Sequence, residues 1–193
     1  MRLFVALDIP EHVRATLRAF TTPLRQVSPG ARWTRTEGQH VTLKFLGNVG
    51  EEKLEAIHSV LAPVRSLQPV TMNFRGAEFF PRGRRPRVFW VGVKPSENLT
   101  TLAADIEGAV VAVGFTPEQR AFRPHLTLAR FPEAKSSAPL LQTLAERKNH
   151  QPEFGGVTVS EFSLYQSHLK PTGAEYTRLE TFSFVEKPLE KSK

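Results

Sequence analysis

Cysteine is absent from the 193-residue chain, which excludes disulfides, thiolate nucleophiles and cysteine-ligated zinc or iron–sulfur centres. Long apolar runs are absent as well, since nothing approaches the roughly 18 residues that a membrane span requires. The opening Met1-Arg2-Leu3-Phe4-Val5-Ala6-Leu7-Asp8 is too short an apolar stretch for an export signal and ends in an acid and a proline. The expectation is a cytoplasmic protein with no membrane association, and a monomer. There is no His-Glu-x-x-His metalloprotease motif and no Gly-x-Ser-x-Gly nucleophile elbow, and the 12 glycines form neither a Walker-type loop nor a dinucleotide fingerprint. Low-complexity tracts and long linkers are missing too. Only residues 186–193, charged and short of apolar side chains, read as a frayed tail.

What is present points to an anionic partner. The formal charge is +7, and Arg82, Arg84, Arg85 and Arg87 crowd one short stretch. Such a field speeds encounter with phosphate-rich ligands and gives salt-dependent affinity, though a solvated, solubilising loop would look the same. A hydrophobic fraction of 40% is ample for a packed core in a chain of this length.

The chain repeats itself. His40-Val41-Thr42-Leu43 returns as His125-Leu126-Thr127-Leu128, 85 residues later, and the same offset carries Leu3 to Ala6 onto Val88 to Val91. Pro10 and Pro95 follow those runs. Helical spacing comes next in each copy: Val13, Leu17, Phe20 and Leu24, then Leu99, Leu102, Ile106 and Val110. A strand holding the histidine follows, then a second helix around Leu54 to Val64 or Leu140 to Leu144, the former led by Glu51 and Glu52 and the latter by Ser137 as cap. Val70 to Phe74 and Val157 to Tyr165 alternate as strands, and Glu175 to Phe184 closes the chain as another. The predicted fold is α+β, one bilobal domain over 1–185 built from halves of roughly 1–85 and 86–185. Each lobe carries a mainly antiparallel sheet with helices on its outer face, and the ligand site falls in the cleft between lobes. Whether the first strand stays in its own lobe or exchanges is open.

On a strand, side chains at i and i+2 share a face, so His40 with Thr42, and His125 with Thr127, each present an imidazole beside a hydroxyl. A lone strand histidine is usually a satisfied structural residue, which is the reading for His12, His58, His150 and His168. Two complete copies of one motif are a different matter. An imidazole's ordinary pKa of about 6.5 lets two of them share one proton at neutral pH, one as base and one as acid. That suits phosphoryl transfer: one histidine deprotonates water, the other protonates the departing oxygen, and the threonine hydroxyls bind the non-bridging oxygens. Metal ligation fits poorly, because neither motif places a carboxylate on the histidine's own strand face, and no cofactor is expected.

These residues resemble the 2H phosphoesterase superfamily, and most closely its RNA 2′,3′-cyclic phosphodiesterase family, also called 2′-5′ RNA ligases. The likeness includes Arg2 to Leu7, Trp33-Thr34 through His40 to Gly47, Phe122 to Arg130, and Leu164 to Leu169. It implies a hydrolase of RNA 2′,3′-cyclic phosphate ends yielding a 2′-phosphate, reversible as 2′-5′ ligation, with His40 as proton donor and His125 as proton acceptor. The repeats themselves do not distinguish those two roles. Resemblance also makes Arg130 a phosphate ligand and Phe45 a base or packing contact, although strict alternation turns both away from the histidine face unless a bulge re-aims them. Tyr165 and Ser167, sharing one face of a late strand, are rim candidates. The partners implied are RNA with cyclic phosphate ends or cyclic nucleotides. Two rivals stand beside this reading: an RNA-binding module without turnover, and the same chemistry on a cyclic phosphate of ADP-ribose or a 2′-5′ oligonucleotide.

Overall fold

Among the residues that the computed structural model describes (1–83, 85–133, 137–146, 151–170 and 173–184), strands and helices follow the order that the hydrophobic spacing predicts, with additions. They are β1 (Arg2–Asp8), α1 (Glu11–Val27), β2 (Arg32–Trp33), β3 (His40–Asn48), α2 (Leu54–Leu61), β4 (Val70–Phe80), β5 (Val88–Pro95) and α3 (Glu97–Ala112), then β6 (His125–Arg130), α4 (Ala138–Glu146), β7 (Glu153–Val159), β8 (Glu161–Lys170) and β9 (Gly173–Ser183). Two antiparallel sheets result, in the orders β3-β1-β8-β9 and β2-β6-β5-β4-β7. The tail 186–193, Arg84 and His150 lie outside the described residues.

Neither sheet is made from one half of the chain. The first strand of each half stays beside its own histidine strand, β1 with β3 and β5 with β6, which answers the open question. The later strand is the one that changes places: β4 joins β5, and β8 joins β1. The segment from Val157 to Tyr165, expected as one strand, is two strands in different sheets, parted at Ser160. Its alternation already slips there, because the apolar phase passes from Val157 and Val159 to Phe162 and Leu164.

Apolar spacing determines what each element buries. Val13, Leu17 and Leu24 of α1 are fully enclosed, and Phe20 meets the edge of Phe154 at 5.0 Å, seating α1 on the second sheet. Helix α3 buries Leu99, Leu102, Ile106 and Val110, and its Asn98 side chain donates to the carbonyls of Gln68 and Pro69, fixing the approach to β4. Leu3, Val5 and Leu7 of β1 join Phe89 and Val91 of β5 in one core. Sliding β1 by one residue would turn those three side chains outward, at about 1.5–3 kcal/mol each. Register is therefore strongly held.

One charge is buried beneath β3. The Lys44 ammonium, 6% exposed, donates to Glu107 of α3 at 2.8 Å and to the Thr116 carbonyl at 3.0 Å. Glu107 also accepts the Glu118 amide at 2.8 Å, so the cluster ties β3 to the segment that leads into β6. Removing one member of a buried pair strands the other, and Glu107 is the better solvated of the two. Glu107→Ala is expected to cost about 2–4 kcal/mol in urea unfolding, and more than Lys44→Met. Equal or reversed losses would show that the pair is not what carries the cluster.

Candidate functional site

Period-two alternation would send Phe45 and Arg130 to the core side of their strands. A bulge in each histidine strand prevents this. In β3, Thr42 opposes Ala6 while Lys44 opposes Val5, so Leu43 is the extra residue and Leu43 and Lys44 both face inward. In β6, Thr127 opposes Trp90 while Ala129 opposes Phe89, and Leu128 and Ala129 are both buried. The next residue in each strand returns to the histidine face, Phe45 opposite Phe4 and Arg130 opposite Val88. The same pairings correct the offset assigned to the first strands. Phe4, Ala6 and Asp8 stand where Val88, Trp90 and Gly92 do, 84 residues on rather than 85. An offset of 85 equates residues on opposite faces.

Both imidazoles are held in one way. His40 Nδ1 lies 2.7 Å from the Gly38 carbonyl, and His125 Nδ1 lies 2.8 Å from the Arg123 carbonyl, two residues upstream in each case. A carbonyl only accepts, so each Nδ1 carries the hydrogen and each Nε2 is left for a ligand. The hydroxyls of Thr42 and Thr127, beside them on the same faces, make no hydrogen bond among the described residues. A tightly packed glycine lies beside each motif, Gly38 two residues before His40 and Gly92 paired with His125. A Cβ on Gly38 would come 2.8 Å from the Tyr176 ring, and one on Gly92, opposite His125, would come 2.8 Å from the Arg75 carbonyl oxygen.

The surroundings of the two rings differ. His40 stacks on Phe4 at 4.6 Å, meets the edge of Tyr176 at 5.0 Å, and has Tyr165 at 6.3 Å. Behind it, the Tyr165 hydroxyl donates to Asp8 Oδ1 at 2.5 Å, and Arg178 donates to both Asp8 and the Tyr165 oxygen. Burial, and then the Asp8 carboxylate, push the Tyr165 hydroxyl up to about 12. Burial pushes His40 down to about 4, against the upward pull of the Gly38 carbonyl and Asp8, while His125 and Arg14 add to the downward push. His125 is exposed, and its one ring contact among the described residues is Trp90, near perpendicular at 5.8 Å. That His125 acts on His40, and Arg130 on Tyr176, reflects how the two histidine faces converge across the seam between β3 and β6.

The structure thus brings His40, Thr42, Phe45, His125, Thr127 and Arg130 to one locality. Phe45 is 59% exposed with its ring 6.1 Å from Phe4. Tyr165 is not at a rim but 8% exposed beneath His40, and Ser167 follows it on the same face, opposite Tyr176. His12, His58 and His168 are engaged elsewhere, with Gly156, Glu180 and Thr177. Sequence reasoning missed Asp8, Tyr176, Arg178, Phe4 and Trp90. Asp8 has Gly92 in the corresponding place, so the repeat gave no hint of it. The scarcity of tyrosine was a usable signal, because both tyrosines of the chain surround His40. Among the described residues no three His, Asp or Glu side chains gather into a group suited to a metal ion, and no helix is long and apolar enough to cross a membrane.

Residues 7–171, spanning both histidine motifs, match the family model of the 2′-5′ RNA ligase superfamily. The chain belongs to that superfamily. Curated relatives of this 2′-5′ RNA ligase superfamily chain include a Methanothermobacter thermautotrophicus protein, 36% identical over 94% of this chain and 98% of its own, and an Archaeoglobus fulgidus protein, 38% identical over 94% and 99%. Both are named RNA 2′,3′-cyclic phosphodiesterase, which makes cyclic phosphodiester cleavage an activity of the family. Among solved structures, a Thermus thermophilus protein superposes with a TM-score of 0.77 at 32% identity, covering 95% of this chain and 98% of that one. E. coli LigT complexed with 3′-AMP superposes equally well, with a TM-score of 0.77 at 27% identity over 96% and 98%. The α+β fold of two antiparallel sheets is that of these relatives.

The buried state of His40 has a measurable consequence. Its pKa is lower folded than unfolded, so the unfolded chain binds the extra proton first, and stability is lost as pH falls from 6.5 towards 4. The loss is on the order of 3 kcal/mol. His40→Gln should remove that part of the pH dependence in urea unfolding. An imidazole NMR titration should place the His40 midpoint near 4 and move it upward when adenosine 2′-phosphate is added. A midpoint at 6.5 that ignores the nucleotide would contradict the burial argument.

Proposed function

We propose that the chain hydrolyses RNA 2′,3′-cyclic phosphate ends to 2′-phosphates by acid–base catalysis between His40 and His125. The observation that carries this reading is the matched tautomer. Each Nδ1–H is tied to a backbone carbonyl, and among the described residues each Nε2 and the threonine hydroxyl beside it are without a partner, in two copies related by the same strand pairing. A binding module needs positive charge and stacking surface, and has no use for two imidazoles locked in the same orientation.

In the proposed reaction a water oxygen bonds to phosphorus as the bond from phosphorus to O3′ breaks. His125, exposed and so within reach of water, takes the proton at Nε2. His40 gives its Nε2 proton to O3′, leaving a 2′-phosphate and a free 3′-hydroxyl, and solvent then resets both rings. Thr42 and Thr127 donate to the non-bridging oxygens, with Arg130 adding a positive charge. The acid must be protonated, yet burial by the protein disfavours charge on His40. The substrate's own negative charge reverses that balance, with Asp8 behind the ring assisting, so His40 gains its proton as the cyclic phosphate arrives. With the 5′-hydroxyl of a second RNA in place of water, the same two proton transfers in the same direction, from that hydroxyl to His125 and from His40 to O3′, join the ends through a 2′-5′ linkage as the bond from phosphorus to O3′ breaks.

His40→Ala and His125→Ala are each expected to lower turnover of an RNA ending in 2′,3′-cyclic phosphate by about 100-fold or more, with RNA binding kept. The rate against pH should be bell-shaped, because one ring must be neutral and the other charged. Near-normal turnover by either variant, or a 3′-phosphate product, would refute the assignment. EDTA in the assay tests for metal dependence directly, and full activity in its presence is expected.

A further inference from the structure

We propose that the histidine face of the second sheet continues beyond Arg130 as a track for the single-stranded RNA body that precedes the cyclic end. The inference rests on reading the cleft as one that acts on RNA ends. It starts from register. Arg32 pairs with Arg130, Arg130 with Val88, and Val88 with Phe80, so these four residues form one cross-strand row over β2, β6, β5 and β4. Directly opposed residues point to the same side of a sheet. Along β5, Val88 shares a face with Trp90, which opposes Thr127, so the row lies on the side that carries His125 and Thr127.

The row has the composition that unpaired RNA recognises. Arg32 and Arg130 are exposed, and neither has an ion pair or side-chain hydrogen bond among the described residues. At the far end Phe80 is 57% exposed, whereas its neighbour Phe79 packs on Phe89 at 4.9 Å. Phe80 is thus turned out by the pleat, at a distance of two strand spacings, roughly 10 Å, from Arg130. The loop that follows sorts the arginine run into two roles. The Arg87 guanidinium is taken by the carbonyls of Phe131 and Pro132, and its backbone pairs with Phe80 and Phe131, pinning the loop against the end of β6. Arg82 and Arg85 remain exposed, and the Arg82 pair with Glu78 is a surface pair of the weak, exchangeable kind.

An aromatic ring flanked by exposed guanidiniums, continuous with a phosphate site, fits bases that are free to stack and a backbone that needs neutralising. A duplex offers no such bases along its length. With the terminal phosphate at Arg130, the preceding nucleotides reach Phe80 and then Arg82 and Arg85.

Fluorescence anisotropy with a short single-stranded RNA ending in 2′-phosphate tests this without depending on turnover. Phe80→Ala should weaken binding by roughly 5- to 30-fold, within the range seen when a stacking aromatic is removed. Arg82→Gln combined with Arg85→Gln should reduce the slope of log affinity against log salt by about 1.4, the share of two single-strand phosphate contacts. Affinity for adenosine 2′-phosphate, followed by calorimetry, should stay within about two-fold, because a mononucleotide needs no second phosphate contact. Unchanged RNA affinity, equal losses on RNA and mononucleotide, or equally tight binding of a blunt duplex would each overturn the track. If the wild-type protein left cyclic ends intact, the catalytic reading would fail while these binding results would still decide the track.

Discussion

A bulge at the same place in each histidine strand determines the character of the site. A pleated strand places alternate side chains on a face, so His, Thr and a third residue five positions from the histidine do not share a side. The bulges at Leu43 and Leu128 turn two successive residues into the core and return Phe45 and Arg130 to the face of the imidazoles. Because both inward residues are buried, the core itself holds the kink in place. The bulge in β3 also seats Lys44 against Glu107, a burial that regular alternation would not produce.

On this shared frame the two sides have diverged. The His40 side is aromatic and enclosed, with Phe4, Tyr165 and Tyr176 around the ring and a carboxylate behind it. The His125 side is open, with Trp90 against the ring and arginines further along the face. A pair of imidazoles in identical settings would compete for one proton without preference. Burial on one side removes that equality, because it disfavours the charged form of the His40 ring.

Much of this was legible in the residues. The histidine motifs, the helices with their apolar stripes and the antiparallel character of the sheets follow from spacing, because burial forces spacing on sequence. Strand exchange was not legible, since β4 satisfies the same alternation whether it lies beside β1 or β5. The one-residue difference between the offset of the histidine strands and that of the first strands was hidden for a related reason. Leu3 to Ala6 is apolar on both faces, so its pattern cannot tell which residues face the core. Asp8 escaped notice because its meaning comes from the strand opposite, where it faces His40 across β1 and β3. A contact of that kind is a property of pairing, and pairing is what a single sequence carries least of.

The chain passes from β7 to β8, from one sheet to the other, through Ser160 alone, and the Phe184 amide bonds to the Ser160 carbonyl at that crossing. A one-residue crossing has almost no slack. Sliding one sheet past the other at that end would have to break the Phe184–Ser160 bond and shear the core that the two sheets share.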